Sequence, residues 1–260
     1  MNSIDTTLLG VKIGTTSLDT LTDHAMQAIG GKREQIAFAC ANPHSLVEAV
    51  RDIEFRDALN QSEQVVADGI GVVLTGRLVG APVEPRITGA DYFHSVMSAL
   101  EARGGGRVFF MGSTPGVLDR IQRRAAKEFP NLKIGVHSPP FGEWSPDQRQ
   151  AVIDAINDFD PDVLWVGMTA PKQEKWVHAN RSRLNAAVIG SIGAVFDFYA
   201  ETHPRAPGWM HNNGLEWLYR LLREPRRMWR RNFVSAPKFL WLVLWERLRG
   251  FGGRAASSVS

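Results

Sequence analysis

Short apolar runs alternate with amphipathic segments from residue 36 to about residue 197. Most runs are followed by a turn rich in small or polar residues and then by apolar positions at helical spacing. This alternation predicts βα units around a parallel sheet, an α/β fold. The predicted strands are Ile36–Cys40, Gln64–Ala67, Arg107–Met111, Leu132–Val136, Asp162–Gly167 and Ala186–Gly190, and the predicted helices cover residues 89–103, 116–128, 145–157 and 172–183.

Two breaks interrupt this pattern. A possible lobe boundary lies at Gly104–Gly106, and the proline-containing segment Pro204–Gly208 ends the regular alternation. We therefore predict an α/β body over residues 1–204, a helical appendage over residues 205–250 and a disordered tail of low complexity over residues 251–260.

Charge separates the body from the appendage. The net charge is +3, but residues 205–260 hold eleven Lys and Arg against three acidic residues, whereas residues 1–204 hold 19 against 24. Six arginines lie between Arg220 and Arg231, and five of the eight tryptophans lie from Trp209 onward. Arginine interleaved with tryptophan and leucine is typical of a helix at an anionic membrane surface.

Two other interpretations of the appendage remain open. It could dock on the body or on a second copy of the chain, or it could bind nucleic acid. The apolar run Phe239–Trp245 favours lipid over nucleic acid, because a nucleic-acid arm has no use for a continuous apolar strip. We therefore expect an anionic membrane surface and no nucleic acid as a partner, and self-association remains possible.

Cysteine usage and apolar run lengths suggest the compartment. Cys40 is the single cysteine, so no disulfide forms within the chain and a reducing compartment fits. The first thirty residues contain three aspartates and lack the unbroken apolar core of a secretory signal. No apolar run approaches the ~20 residues of a spanning helix. We expect a cytoplasmic protein held peripherally on the inner face of the cytoplasmic membrane.

Ligands of open α/β sheets bind outside the carboxyl ends of the strands, so the residues after each predicted strand are the candidate site. Asp68 could take a proton from an attacking hydroxyl, or it could be the N-cap of the next helix. Asn42 could likewise be a ligand of the site or a helix N-cap. Arg86 could clamp a phosphate with its guanidinium, or it could pair with Asp91 on the surface.

Two further turns carry candidate ligands. Gly112–Gly116 opens a helix and could present backbone N–H groups, including that of Ser113, to a diphosphate, although a plain tight turn explains it equally well. After Gly167, Gln173 and Glu174 fall in the first turn of a helix, where an amide and a carboxylate can bind the hydroxyl groups of a sugar or ribose. The helix dipole alone would also favour Glu174 there.

The seven histidines are scattered over different predicted elements, and no two are spaced as ligands on one helix. We therefore expect no metal site. We also expect no Asp-x-Asp, the acidic pair that can hold a divalent metal. The arginines of the appendage are the candidates for neutralising a diphosphate instead.

Together these segments resemble the WecG/TagA/CpsF family of glycosyltransferases. The segments that carry the resemblance are residues 41–43, 67–71, 86–91, 110–113, 166–176, 193–197, 205–207 and 215–220, in that order along the chain. The resemblance implies an inverting, metal-independent transferase with a Rossmann-like body and an appendage that binds the membrane and completes the active site.

The resemblance also implies roles for particular residues. Asp68 is the expected general base, and Asn42, Arg86 and Gln173 are expected to line the donor and acceptor pocket. Gly193, Asp197 and Arg205 belong to shared segments, and Arg220, Arg227 and Arg230 are expected to close over the diphosphate. The expected substrates are a UDP-sugar and a polyprenyl-diphosphate-linked glycan for a cell-surface polysaccharide, without a cofactor.

One position departs from the family, because Cys40 stands where threonine is usual. A thiol is a poorer hydrogen-bond donor than a hydroxyl, so the sugar contacts can differ and the donor sugar, N-acetylmannosamine, its uronic acid or glucose, stays open. A catalytically silent sugar-nucleotide-binding subunit is the alternative function. An NAD-dependent oxidoreductase is a weaker one, since Gly-x-Gly-x-x-Gly is missing.

Overall fold

A computed structural model gives the fold of the chain. It describes residues 6–255 except 32–33, 82, 84–85, 203–209, 211–215 and 224, and among the helical residues it leaves out the side chains of Glu216, Arg220, Arg227 and 249–255. The predicted boundary at Pro204–Gly208 and residues 256–260 of the predicted tail therefore lie outside the described residues.

A six-stranded parallel sheet forms the centre of the body, in the order β4-β3-β8-β7-β5-β6. A two-stranded antiparallel hairpin, β1-β2, precedes it. The strands are β1 Thr6–Leu8, β2 Val11–Ile13, β3 Ile36–Ala41, β4 Gln64–Ala67, β5 Gly106–Gly112, β6 Leu132–His137, β7 Val163–Gly167 and β8 Val188–Ser191. The α/β class and the parallel sheet predicted from the sequence are confirmed.

Helices cover both faces of the sheet and form the C-terminal appendage. Those of the body are α1 Leu18–Ile29, α2 Pro43–Arg51, α3 Ile53–Asn60, α4 Ile70–Leu78, α5 Gly89–Ala102, α6 Pro115–Glu128, α7 Pro146–Phe159, α8 Lys172–Asn180 and α9 Val195–Tyr199, with a 3-10 turn at Arg181–Arg183. Those of the appendage are α10 Glu216–Arg223, α11 Pro225–Trp229, a π-helical turn Arg230–Ser235, and α12 Ala236–Ala255.

All six predicted strands of the sheet are present, with ends shifted by no more than two residues. They were recognisable because parallel strands covered on both faces are continuous apolar runs. The glycine turn at 104–106 joins α5 to β5, and the sheet is continuous across it. Helix α12 extends to Ala255, which is five residues into the segment predicted to be disordered.

Apolar side chains fill the space between the sheet and its helices. On one face, Phe38 of β3 stacks on Tyr92 of α5 with ring centroids 3.9 Å apart, and Trp165 of β7 meets the edge of Tyr92. These rings belong to a buried cluster that includes residues of α1, α5 and α6. The packed sheet positions its strand ends, and with them the side chains that follow each strand.

The appendage is packed onto the body. Phe239 and Val243 of α12 are 1% and 2% exposed, and they belong to a cluster formed with the β1-β2 hairpin, α2 and α4. Polar contacts extend this interface: Leu9 N donates to Glu246 Oε2 at 3.3 Å, and Arg247 Nε donates to the Val79 carbonyl at 2.6 Å. The docking interpretation of the appendage therefore holds for this face of α12.

The opposite face of α12 carries exposed apolar side chains. Trp241 and Trp245 stack with ring centroids 5.7 Å apart and are 59% and 41% exposed. Leu240, Leu244 and Leu248 on the same helix are also exposed. Helix α12 is thus apolar on two faces, of which the body covers one. Within the described part of the chain, no helix combines the length and the apolar character needed to cross a membrane.

Candidate active site

A cavity of about 680 Å³ lies at the carboxyl ends of the sheet strands. This volume is in the range of small-molecule sites. Residues at or just after the ends of β3, β4, β5, β7 and β8 line it, together with the start of α8, part of α9 and residues of the appendage. The predicted site residues that line it are Cys40, Asn42, Asp68, Arg86, Gly112, Ser113, Gly167, Gln173, Glu174, Gly193 and Asp197.

Asp68 follows β4 directly and lines the cavity. Its backbone N–H donates to the Ala41 carbonyl of β3 at 2.9 Å, which fixes the main chain at this point. Gly69, with φ of +103°, is the N-cap of α4 and has no side chain with which to cap it. The N-cap interpretation of Asp68 is therefore wrong, and its half-buried carboxyl group is placed at the cavity.

Asn42 does act as a helix cap. Its Oδ1 accepts hydrogen bonds from the backbone N–H groups of His44 and Ser45, and Ser45 Oγ accepts from the Asn42 N–H at 2.8 Å. This capping box opens α2. The Asn42 amide oxygen is thus engaged in the fold, although the residue lines the cavity as predicted.

Cys40 contributes a neutral thiol to the wall. Burial raises its pKa well above the usual value, and the nearby carboxyl groups of Asp68, Glu174 and Asp91 raise it further. A thiol with so high a pKa is not a nucleophilic thiolate at neutral pH. The Sγ atom also lies against Gly89, where an added Cβ would be 3.4 Å away. Cys40 therefore shapes the wall between β3 and α5.

Gly112 and Ser113 form a tight turn between β5 and α6. Gly112 has φ of +122°, and a Cβ there would lie 2.5 Å from the Gly167 carbonyl oxygen. Ser113, with φ of +55°, donates its N–H to that same oxygen at 3.1 Å. The Ser113 N–H is therefore already used within the protein. The turn brings β5 and β7 close together, and its predicted role in binding a diphosphate does not extend to this N–H.

Gln173 and Glu174 are buried in the first turn of α8. Gln173 Nε2 donates to Glu174 Oε1 at 2.8 Å, and the two side chains are 5% and 4% exposed. Burial raises the pKa of Glu174 to about 7, and the hydrogen bond from Gln173 offsets only part of that rise. The site thus holds a carboxyl group that titrates near neutral pH.

Arg86 and Asp197 are two further residues of the body that line the cavity. Arg86 lies before α5, whose N-cap Thr88 exchanges hydrogen bonds with Asp91: the Thr88 N–H donates to Asp91 Oδ2 at 2.9 Å. Asp197 lies in the short helix α9. Both residues are half-buried at the cavity.

The appendage supplies one wall of the cavity. Trp217, Met228, Arg231 and Asn232 line it, and His44 Nδ1 lies 2.9 Å from Ser235 Oγ, which ties α2 to the π-helical turn. Burial lowers the pKa of His44, and the positive charge of Arg231 lowers it further. His44 is therefore neutral at pH 7, and Arg231 is the basic group that the turn places at the cavity.

Among the appendage arginines that were predicted to bind the substrate, only Arg230 has a side chain that the structure describes. Arg230 is exposed and does not line the cavity, so in this structure the adjacent Arg231 occupies the position expected of it. Arg230 and Arg231 are successive residues of the π-helical turn, and successive helical side chains point in different directions, so the two do not face the cavity together. Arg205 lies outside the described residues. Arg220 lies in α10 and Arg227 in α11, but their side chains are not described.

Sequence reasoning missed the segment between β6 and α7. Pro139, Pro140, Phe141 and Trp144 line the cavity, and Phe141 is 79% exposed. Lys172 Nζ holds this segment, since it donates to the Gly142 carbonyl at 3.0 Å and lies 4.9 Å from the Trp144 ring centroid. This segment lies between two predicted elements, and its aromatic and proline residues were the signal that could have identified it as part of the site.

The acidic residues of the described chain form no cluster of metal ligands with His or Cys. The sequence does contain Asp-x-Asp, at Asp158–Asp160 and Asp160–Asp162, contrary to the expectation of no acidic pair. Asp162 precedes β7, so these residues lie at the end of that strand opposite the cavity. There Asp162 Oδ2 accepts a hydrogen bond from the Arg107 N–H at 2.8 Å. Asp162 is thus engaged in the fold, and Asp158 and Asp160 are exposed away from the cavity.

Residues 6–252 match the model of the glycosyl transferase WecG/TagA/CpsF family. The chain belongs to this family. The resemblance inferred from the sequence is thereby confirmed, and so is its classification as a glycosyltransferase. The match covers the body and the appendage and ends within α12, at residue 252.

The names of similar proteins agree with the assignment to this family. A protein of Bacillus spizizenii is 35% identical over 204 residues, which cover 78% of this chain and 77% of the relative. One of Bacillus subtilis (strain 168) is 32% identical over 233 residues, 89% of this chain and 86% of the relative. One of Staphylococcus aureus (strain MW2) is 25% identical over 243 residues, 93% of each chain. All three are named N-acetylglucosaminyldiphosphoundecaprenol N-acetyl-beta-D-mannosaminyltransferase.

Proposed function

We propose that this glycosyltransferase moves an N-acetylmannosaminyl group from its UDP derivative to an N-acetylglucosaminyl diphosphate carried by a polyprenyl lipid, with inversion. The names of the relatives support the sugar and the acceptor. The observation that carries the proposal is the cavity that gathers Asp68, Arg86 and the Gln173–Glu174 pair with Arg231 of the appendage. It combines a base, cations and sugar-binding groups in a space suited to a nucleotide sugar.

In the proposed mechanism, Asp68 takes the proton of the acceptor hydroxyl as the oxygen attacks the anomeric carbon. The attack comes from the face opposite the UDP group. The bond between the anomeric carbon and the diphosphate oxygen breaks, and its electron pair stays on the oxygen of the departing UDP. The sugar configuration is therefore inverted. The position of Asp68, directly after β4 on the cavity wall, supports its role as general base.

Arginines are proposed to stabilise the departing diphosphate, the task that a divalent metal performs elsewhere. Arg86 enters the cavity from the body and Arg231 from the appendage. A guanidinium can donate two parallel hydrogen bonds to phosphate oxygens. The transfer reaction should then proceed without added metal.

Transfer of radiolabelled sugar to a lipid-linked acceptor in the presence of EDTA tests this proposal, with UDP-N-acetylmannosamine, its uronic acid and UDP-glucose as donors. We expect transfer with the first donor, and we expect Arg231→Ala to lower kcat/KM at least about tenfold because a charge-assisted contact to the diphosphate is lost.

Arg120→Ala is the matched control, since Arg120 is exposed on α6 of the body and does not line the cavity. Its kcat/KM should equal that of the unchanged enzyme. Dependence on a divalent metal would contradict the role given to the arginines. Binding of UDP-sugars without transfer to any acceptor would instead support a catalytically silent subunit.

We further propose that the exposed face of α12 holds the enzyme on the inner face of the cytoplasmic membrane. Stacked Trp241 and Trp245, with Leu240, Leu244 and Leu248 beside them, form an apolar surface on the side of α12 away from the body. Tryptophan rings favour the headgroup region of a bilayer, and the arginines of the appendage would contact anionic lipid. An acceptor anchored by a polyprenyl chain is presented at such a surface.

The Trp241→Ala/Trp245→Ala variant should lose most of its binding to vesicles that contain phosphatidylglycerol, with a Kd raised about tenfold, because two interfacial rings are removed. Sedimentation with the vesicles measures this. Turnover of a soluble, short-chain acceptor should not change. Equal vesicle binding by the variant and the unchanged enzyme would exclude this face as the membrane contact.

A further inference from the structure

Two buried oxygen atoms in side chains that line the cavity have no hydrogen-bond partner among the described residues. They are Oε1 of Gln173 and Oε2 of Glu174. A buried polar atom left unpaired costs about 1–3 kcal/mol, and native proteins retain few of them. Two on adjacent side chains of one ligand-sized cavity are acceptors that the hydroxyl groups of a bound ligand could satisfy.

The orientation of the pair is fixed by its own contacts. Gln173 Nε2 donates to Glu174 Oε1 at 2.8 Å, and the reverse amide orientation would place two oxygens against each other. Gly193 packs against the amide, since a Cβ there would be 3.2 Å from Gln173 Oε1 and 3.5 Å from Nε2. Gln173 Oε1 and Glu174 Oε2 are left without a partner among the described residues. Both atoms can accept hydrogen bonds when Glu174 is ionised.

A ligand that matches two such acceptors must present two hydrogen-bond donors side by side. Neighbouring hydroxyl groups of a sugar do so, and a carboxylate beyond the carboxyl end of a strand accepts from ribose hydroxyls in dinucleotide-binding sheets. We propose that Gln173 and Glu174 form a subsite for two neighbouring hydroxyl groups of the donor substrate, with Glu174 as the residue that determines specificity for them. This proposal rests on the proposed function.

The hydroxyl groups have two possible sources in a nucleotide sugar, the ribose and the transferred hexose. Calorimetric titrations with UDP, 2′-deoxy-UDP and UDP-N-acetylmannosamine distinguish them. They compare the unchanged enzyme with Glu174→Gln, which keeps the side-chain length and removes the charge. A pH of 8 is chosen because burial raises the pKa of Glu174 to about 7, so the carboxylate is then the major form.

If the ribose is bound, the unchanged enzyme should prefer UDP over 2′-deoxy-UDP by about tenfold to a hundredfold, the effect of a hydrogen bond to a charged group, and Glu174→Gln should lose that preference. If the hexose is bound, the two nucleotides should bind equally. The extra affinity that UDP-N-acetylmannosamine has over UDP should then disappear in Glu174→Gln. Either result supports the subsite.

A merely structural role of Glu174 would change the affinity for all three ligands by the same factor, and that result would overturn the subsite while leaving the proposed function intact. Unchanged affinities would overturn it as well. Absence of binding of every ligand to the unchanged enzyme would overturn the proposed function too. Glu34→Gln, at an exposed position outside the cavity lining, is the matched control and should keep all three affinities.

Discussion

The Asp68→Asn variant is expected to transfer sugar about 10²-fold to 10⁴-fold more slowly than the unchanged enzyme, the range that a general base contributes. An amide has the shape of the carboxylate but cannot take the proton of the acceptor hydroxyl. Gly69, not Asp68, caps α4, so the substitution should leave that helix intact. UDP affinity, measured by calorimetry, should stay within about twofold, because the base acts on the acceptor.

Asp57→Asn is the control for this experiment, since Asp57 is exposed on α3 and lies outside the cavity lining. Its kcat should not change. Loss of UDP binding in Asp68→Asn would assign Asp68 to donor binding and not to proton transfer. A kcat close to that of the unchanged enzyme would exclude Asp68 as the base.

The Glu174→Gln variant is expected to be more stable than the unchanged enzyme at pH 8, by about 3 kcal/mol in the free energy of unfolding. Burial raises the pKa of Glu174 from 4.5 to about 7, and each pKa unit corresponds to about 1.4 kcal/mol. The folded state therefore holds the carboxyl proton over a pH range in which the unfolded state has released it.

The sign of the pH dependence follows from that difference. As pH rises from the unfolded value of 4.5 to the folded value of about 7, the unchanged enzyme loses stability through this group, and above pH 7 the loss is complete. Glutamine has no such proton, so the gain should be largest at pH 8 and should mostly vanish at pH 5. Urea denaturation at both values measures it. An equal gain at the two pH values would contradict a buried, titrating Glu174.

The parallel sheet and most of its ligand-binding edge were predictable from the sequence. Each strand of the sheet is a short apolar run, and the carboxyl ends of parallel strands meet at one edge, so the polar residues that follow them converge. Asp68, Arg86 and Gln173 reach the cavity for that reason. The β1-β2 hairpin was not predicted, because strands of three residues are too short to show a period.

The other features of the site depend on packing and hydrogen bonds, which no local sequence pattern shows. The choice of Arg231 over Arg230 depends on how the appendage is turned against the body, which residue spacing alone does not show. The burial of Glu174 depends on the elements that pack around α8, and its pKa depends on that burial. The sequence could not identify Asn42 as a cap, because capping and ligand binding favour the same residue types. The hydrogen bonds in the structure identify it.

The packing of α12 on the β1-β2 hairpin also couples the two ends of the described chain. Leu9 N donates to Glu246 Oε2, 237 positions further along, and Phe239 and Val243 are buried in a cluster with the hairpin. The π-helical turn that carries Arg231 runs directly into α12, so the hairpin supports that wall of the cavity through the helix. Residues 6–13 therefore help to hold a wall of the cavity although none of them lines it.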